Sequence, residues 1–383
     1  MHSATSRPMQ TAREPRNTPS VVVVYPCRTD VCNHEIATQD VLAKRIADIR
    51  GDAYGGIFNP AAQYDRPLYF VPNDTLVRAE LPDALQIGSE EDLFGGVVPH
   101  AFVATKTITH ALPSSASRSP QGWSDDFCQR VHDVVLPGYS AFSRRDALTA
   151  GKQLLERGPV RMKKPSGIGG MGQTVVPDLR QLEEELERLD TKELERIGLV
   201  LERNLVGPET RSVGQVRVGN FLATYCGTQR LTPDNRGAEV YGGSDLIVVR
   251  GDFDELLQLP LGQHVHIAIA QARTYHAAAI ACYPGMFASR CNYDIAQGVD
   301  EEGRWYSGVL EQSWRIGGAS GAEVAALEAF RDDPSLSVVR ASTTEIYGDN
   351  PSLPPGAAVY FQGNDDRVGP LTKYARLEDY GNT

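Results

Sequence analysis

The order of elements predicts a mixed fold, α+β overall with an α/β portion at its N-terminus. Three observations carry this. The first hundred residues alternate short apolar runs with one helical pattern, as βαβ units do. The region after residue 206 is rich in strands and returns to helix only twice, near 265–280 and 323–331. Between them, Val160 to Val176 reads as a strand, a pair of lysines, a cluster of glycines and a second strand.

Taken in order, Ser20 to Tyr25 is a continuous apolar run of strand length, suited to a buried parallel strand. A loop from Pro26 to Cys32 leads to Asn33, the expected cap of a helix carrying Leu42, Ile46 and Ile49 on its apolar face. Gly51 ends it, and strands follow at Tyr54–Phe58 and Pro67–Pro72. Residues 112–126 are polar and turn-rich, which predicts a loop or linker. A helix over about 144–157 then leads into the glycine hairpin. Asp178 caps a helix with Leu179, Leu182, Leu186 and Leu189 on one face, and Leu199 to Glu202 is a strand. Strands are expected at Ser212–Val218, Phe221–Leu231, Asp245–Val249, 287–296 and 304–313, with short ones near 337–340 and 358–362.

Composition narrows the function. At 383 residues the chain exceeds one ordinary core and predicts two or three domains. It is 41% hydrophobic and 23% charged, with a net charge of -11, which argues against a general nucleic-acid binder. It contains no apolar run of membrane-spanning length, so no membrane partner is expected. Residues 1–18 carry Arg7, Arg13 and Arg16 without an apolar core, which predicts a disordered tail rather than a secretory signal. Six cysteines without CxxC spacing fit free thiols in a reducing cytoplasm, with a local Cys27–Cys32 bridge as the alternative.

The chemistry-bearing residues concentrate in two places. Gly167, Gly169, Gly170 and Gly172 allow close backbone approach to a ligand, and Lys163 and Lys164 place cations at the mouth of their loop. Strand alternation points the two lysines to opposite faces. Amide donors beside a fixed positive charge are what a polyphosphate needs. The second place is a hairpin. If Glu302-Gly303 forms a two-residue turn, Asp294 and Glu311 face each other across it. Facing carboxylates repel unless a cation lies between them, and Mg²⁺ suits an oxygen donor set.

This order of strand, basic glycine loop, helix, acidic hinge strand and late carboxylate hairpin resembles the ATP-grasp superfamily. The resemblance spans roughly residues 100–345. Within it the chain also resembles an uncharacterised bacterial family, a domain of unknown function. Three phrases carry it: Lys-Pro-Ser-Gly-Ile-Gly-Gly (164–170), Tyr-Gly-Gly-Ser-Asp-Leu (241–246) and Leu-Glu-Gln-Ser-Trp-Arg-Ile-Gly-Gly-Ala-Ser-Gly-Ala-Glu (310–323). It implies an ATP-grasp fold behind an N-terminal α/β domain. The implied divisions are a tail (1–18), the N-terminal domain (19–110), a loop or linker (111–135), a lid subdomain (136–205), a catalytic subdomain (206–349) and a C-terminal tail packed on the core (350–383).

The resemblance implies ATP and Mg²⁺ as cofactors, and activation of a small-molecule carboxylate as an acyl phosphate for attack by an amine or other nucleophile. Lys164 matches the lysine that reaches the nucleotide phosphates, with Lys163 competing, and Gly167, Gly169 and Gly170 match the loop over them. Lys106 matches an earlier nucleotide-binding lysine, with an exposed surface lysine as the alternative. Glu202 matches the hinge that reads adenine. Glu209 resembles a ribose-binding acid, with a solvated loop carboxylate as the alternative. Asp294, Glu311 and Ser313 match the metal ligands, although Ser313 stands where relatives carry asparagine. Arg315 matches an arginine that contacts substrate. Arg211, Arg217, Arg230 and Arg290 are unranked further anion partners. Two other classes stay open, a small-molecule kinase and a nucleotide-binding protein without turnover.

Overall fold

The computed structural model describes residues 19–164 and 172–378. The first strand, β1 (Val21–Tyr25), is an apolar run buried at Val22, Val23 and Val24. It leads through α1 (Asn33–Arg50) to β2 (Ala53–Ile57), which is parallel to it. Next comes β3 (Leu68–Pro72), parallel to β1 on its other side. The α1 residues Leu42, Ile46 and Ile49 are buried as the sequence predicted, and Gly51 ends the helix at φ +71°. The cap is one residue earlier than expected: Cys32 takes that place, and the Glu35 carboxylate accepts its amide hydrogen at 2.9 Å. With β1 in the middle, the loops after β1 and β3 share the C-terminal edge of a small parallel sheet. Asn73 ties them, accepting from the Arg28 amide at 2.8 Å and donating to its carbonyl at 2.7 Å.

Two short strands, β4 (Leu76–Val77) and β5 (Gly96–Val98), precede tight turns over 101–109. The expected linker at 111–135 is a loop only in its first part. It contains α2 (Asp125–Val131), capped by Ser124 and buried at Phe127 and Val131. The polar, proline-containing flank at 112–124 masks that amphipathic turn in the sequence.

A four-stranded antiparallel sheet follows. It consists of β6 (Gly138–Ala141), β7 (Val160–Lys163), β8 (Gln173–Val176) and β9 (Leu199–Arg203) in the order β6-β9-β7-β8. Three helices belong to it: α3 (Arg144–Leu155), α4 (Leu179–Glu187) and α5 (Thr191–Ile197). Asp178 caps α4 as predicted, whereas α5 is too short and charged to show a period. Val160, Met162, Leu199 and Leu201 pack with Leu154, Leu182, Leu186 and Leu194 from the helices. Alternation therefore turns Lys163 and Glu202 to the opposite face of the sheet.

The largest layer is an eight-stranded antiparallel sheet. Its first strands are β10 (Val206–Val218), β11 (Phe221–Pro233) and β12 (Glu239–Arg250); β11 begins at the expected residue, whereas β10 and β12 begin six residues earlier than expected. Two helices, α6 (Phe253–Leu257) and α7 (Gln263–Cys282), and the short β13 (Phe287–Ala288) come next. Then follow β14 (Arg290–Val299), β15 (Trp305–Ser313), α8 (Ser320–Asp332), β16 (Val338–Tyr347), β17 (Ala358–Asp365) and β18 (Gly369–Glu378). The sheet order is β15-β14-β10-β11-β12-β16-β18-β17. The expected C-terminal tail thus supplies two strands of this sheet, the second of which the sequence reading missed. No helix among the described residues is long and apolar enough to cross a membrane. All six cysteines are free, and burial pushes the Cys128, Cys226 and Cys291 thiols up to about 12.

Candidate active site

The β14–β15 hairpin places Asp294 directly opposite Glu311, as predicted, but not for the predicted reason. The turn is wider than Glu302-Gly303: Asp300 and Arg304 close it, with the Asp300 amide donating to the Arg304 carbonyl at 3.0 Å. That turn alone puts the register one residue out, pairing Ile295 with Val309. A β-bulge at Leu310 then restores the facing carboxylates. A bulge re-aims side chains, and here it turns Glu311 toward Asp294.

Two rows run across four strands on this face of the sheet. One holds Gly227, Ser212, Asp294 and Glu311. The next holds Tyr225, Gly214, Asn292 and Ser313. Asp294 Oδ1 accepts hydrogen bonds from Gln229 (2.8 Å), Asn292 (2.8 Å) and Ser212 (3.3 Å). Burial, and then the Glu311 carboxylate, push the Asp294 carboxyl upward from its ordinary value. The donors are all oxygens and carry excess negative charge, which fits a hard divalent cation such as Mg²⁺.

Glu311 is not bare. Lys106 Nζ lies 2.5 Å from its Oε2, and the lysine is 5% exposed. Lys106 is therefore a buried residue of this cluster and not a surface lysine. The edge strand β15 holds it in place. Gln312, on the opposite face from Glu311, donates to the Val103 and Thr105 carbonyls at 3.1 and 2.6 Å. That grip carries the 101–110 segment around the sheet edge. The same segment reaches the four-stranded sheet, where Thr107 Oγ1 donates to the Ile197 carbonyl at 2.6 Å.

At that sheet lies a second charge centre. Lys163 Nζ is 2.5 Å from Glu202 Oε1, and His110 Nε2 is 3.1 Å from Glu202 Oε2. Lys163 and Glu202 are 2% and 1% exposed. Burial opposes the charge on Glu202, but Lys163 and then His110 outweigh it and hold the carboxyl down at about 2. The structure sets the two lysines apart. Lys163 is the inward one, because it shares with Glu202 the sheet face away from the helices. Lys164 is exposed beyond the strand end. Gly167, Gly169 and Gly170 lie outside the described residues.

Glu209 is not brought to either centre. It pairs with Gln297 and so lies on the opposite face of β10 from Ser212. It is half exposed, and Arg211 Nη2 holds it at 2.7 Å. Ser313 does lie on the Asp294 face, but its hydroxyl accepts from Arg290 Nη1 at 3.3 Å.

Among the unranked arginines, Arg290 stands apart. It is buried against Glu323 (Nη2–Oε1, 2.7 Å) and also donates to the Arg315 carbonyl at 2.6 Å. Arg211, Arg217 and Arg230 pair with Glu209, Glu90 and Asp245. Arg315 borders the N-terminal sheet, with Nε 3.8 Å from Asp74 Oδ1. Burial lowers its pKa, Asp74 opposes this, and Arg28 and Arg290 add to it. The Gly317–Gly321 segment is a tight turn in which Ser320 Oγ accepts the Gly317 amide at 3.0 Å. A Cβ at Gly318 would lie 2.6 Å from the Tyr241 ring, and one at Gly321 would lie 2.4 Å from the Tyr360 hydroxyl. Gly318 and Gly321 thus serve close packing.

A third cluster, Cys32, His34 and Asp365, lies elsewhere. There the Asp365 oxygens accept three backbone amides, from His34, Arg367 and Val368, and Lys373 Nζ lies 3.4 Å from His34 Nδ1. With one carboxylate, one thiol and one imidazole, this cluster lacks the oxygen donor set that Mg²⁺ takes. The sequence reading missed His110, Gln229, Asn292, Tyr225 and Glu323. Only Glu323 lay in a phrase already singled out, and nothing local marks the others.

No curated protein matches the chain in sequence. Solved structures do resemble it in fold. One is N5-carboxyaminoimidazole synthetase from Staphylococcus aureus complexed with ADP, at 12% identity over 96% of this chain and 95% of that one, with a TM-score of 0.52. Another is the biotin carboxylase–β-γ-ATP complex from Campylobacter jejuni, at 12% identity over 93% and 87%, with a TM-score of 0.50. A third is the Aspergillus clavatus N5-carboxyaminoimidazole synthase with ADP and 5-aminoimidazole ribonucleotide, at 11% identity over 94% of each chain and a TM-score of 0.50. The shared architecture is the ATP-grasp fold. The family model described as a protein of unknown function, DUF3182, matches residues 22–375, and the chain belongs to that family.

Proposed function

We propose that this chain is an ATP- and Mg²⁺-dependent ligase that joins a small-molecule carboxylate to an amine or another nucleophile through an acyl phosphate. One observation carries the reading. The 101–110 segment links two charge centres, the buried Lys163–Glu202–His110 at one sheet and the half-buried Lys106–Glu311–Asp294 at the other. In this reading Glu202 would hold the base end of the nucleotide, Lys163 and Lys106 would hold its phosphates, and the paired carboxylates would hold the cation at the terminal phosphate. The resembling structures, which hold ADP or an ATP analogue, support the nucleotide half of this reading.

Asp294 and Glu311 would hold Mg²⁺, which supplies charge neutralisation at the phosphate oxygens when bound. The protein's own residues do the rest. Lys163 and Lys106 offset charge on the phosphates as the terminal phosphoryl group leaves. Arg315, between the cation site and the C-terminal edge of the β1–β3 sheet, holds the substrate carboxylate in line. A carboxylate oxygen attacks the γ-phosphorus and ADP departs. An amine then attacks the acyl carbon, phosphate departs, and the amine's proton goes to solvent or phosphate.

The test is an ADP-release screen with pools of carboxylates and amines, run beside the Glu311→Gln protein. Release that needs both a carboxylate and an amine, and is lost in Glu311→Gln, supports the ligase. A stable phosphorylated product without an amine would make the chain a kinase. A Glu311→Gln protein that releases ADP as fast as the wild type would overturn the site.

A further inference from the structure

We propose that Asn292 is a third protein ligand of the cation site, and that its side-chain amide turns over when the cation binds. The inference rests on the cation-dependent reading above, but the observation behind it is separate. It is a hydrogen-bond conflict in the buried row beside Asp294.

Asn292 is 8% exposed and lies two positions from Asp294 on β14, hence on the same face. Its Oδ1 lies 3.0 Å from the Tyr225 hydroxyl, and its Nδ2 lies 2.8 Å from Asp294 Oδ1. The same Tyr225 hydroxyl lies 2.6 Å from Glu323 Oε1. A phenol has one proton to give. Glu323 is gripped by the Arg290 guanidinium through Nε and Nη2 and acts as an acceptor. The shorter, charge-assisted bond takes the Tyr225 proton. The Asn292 carbonyl then faces a hydroxyl oxygen with nothing to share.

Turning the amide over cures that contact, because Nδ2 then donates to the Tyr225 oxygen. It creates another, because Oδ1 then faces Asp294 Oδ1. Either orientation alone leaves two acceptors in contact, at a buried position where unpaired polar groups are costly. A cation between the Asn292 and Asp294 oxygens resolves both. Amide orientation is fixed by its partners, so cation binding selects the turned state.

The surroundings serve this arrangement. Gly214 stands between Tyr225 and Asn292 in the row, and a Cβ there would lie 2.4 Å from the Tyr225 hydroxyl oxygen. A side chain at 214 would close the path by which Tyr225 reaches Asn292. Directly across the hairpin, Ser313 has its hydroxyl held by Arg290. The amide oxygen therefore comes from β14, not from β15.

The probe is Mn²⁺ with ADP, its free concentration read by electron paramagnetic resonance on the purified full chain. The wild type is expected to bind, and Glu311→Gln to lose binding. Asn292→Ser should weaken Mn²⁺ roughly tenfold, the lower end of what disturbed metal sites show. Adding Ser313→Asn to Asn292→Ser should recover most of that loss. Asn292→Asp, which keeps shape and an oxygen ligand, should bind at least as tightly as the wild type and guards against a folding artefact. Asn292→Ser and Asn292→Asp proteins that bind Mn²⁺ as the wild type does, while Glu311→Gln fails, would overturn the role of Asn292 and leave the proposed function standing. A wild type that binds no Mn²⁺ with ADP would overturn both.

Discussion

The two carboxylate centres of this molecule are built on opposite principles. Glu202 is closed: an ammonium and an imidazole bracket it, and nothing further is needed to keep it charged. Asp294 and Glu311 are open, since two carboxylates face each other and the pair has one lysine, at Glu311. Burial works against charge at both. At Glu202 the neighbouring Lys163 and His110 win and the carboxyl is held down at about 2, whereas Asp294 is pushed up. A carboxylate bracketed by the protein's own partners keeps its charge with or without a ligand, while one left short of a partner marks where an added cation is most favoured.

The largest effect that tests this contrast is at the closed centre. Glu202→Ala leaves Lys163 buried beside only the imidazole. It should cost about 3–5 kcal/mol in urea unfolding, as broken buried pairs do. Replacing both partners, Lys163→Met with Glu202→Leu, should recover most of it. A single variant that loses under about 1 kcal/mol would mean that water reaches this pair.

Acid should show the same centre. The Glu202 carboxyl is depressed in the folded state, so its contribution is fully present above the ordinary glutamate value. It is lost as pH falls through that value toward about 2. The depression corresponds to on the order of 3 kcal/mol. Wild-type stability should therefore fall more steeply with acid in this window than that of Glu202→Gln. Parallel curves would remove the assignment.

The open centre should respond in the other direction. Asp294→Asn relieves repulsion from Glu311 and keeps an acceptor for Gln229 and Ser212. Stability should change by less than about 1 kcal/mol, or rise, while nucleotide-dependent Mg²⁺ binding falls. A loss above about 2 kcal/mol would show that the apo fold depends on this charge. The smallest effect should be at Lys164, where Lys164→Ala leaves nucleotide protection against heat near the wild-type level and Lys163→Ala abolishes it. Equal effects would return the phosphate role to both lysines.

Much of this contrast was legible in the sequence, and the misses share a cause. The Val21–Tyr25 strand, the Lys163–Gln173 hairpin and the facing pair Asp294–Glu311 follow from local patterns. The pair came from a turn assigned one residue too tight, and the bulge at Leu310 cancelled that error. What failed was parity. Whether Lys163 or Lys164 points inward, and whether Glu209 shares a face with Ser212, depends on where each strand starts, and composition does not mark that. The row of Tyr225, Gly214, Asn292 and Ser313 was invisible because its members come from four strands, lie between positions 214 and 313, and meet only through sheet order. The turns at 101–109 were equally hidden, and they carry Lys106 and His110 to the two centres.

The most direct test of the account is equilibrium urea unfolding of the wild-type chain with ADP alone, Mg²⁺ alone and both together. A nucleotide that bridges the closed and open centres should stabilise the protein by about 2.7 kcal/mol when present at one hundred times its dissociation constant with Mg²⁺. The effect with both should exceed the sum of the separate effects. An unfolding midpoint that stays the same in all four conditions would contradict the claim that these two centres form one nucleotide site.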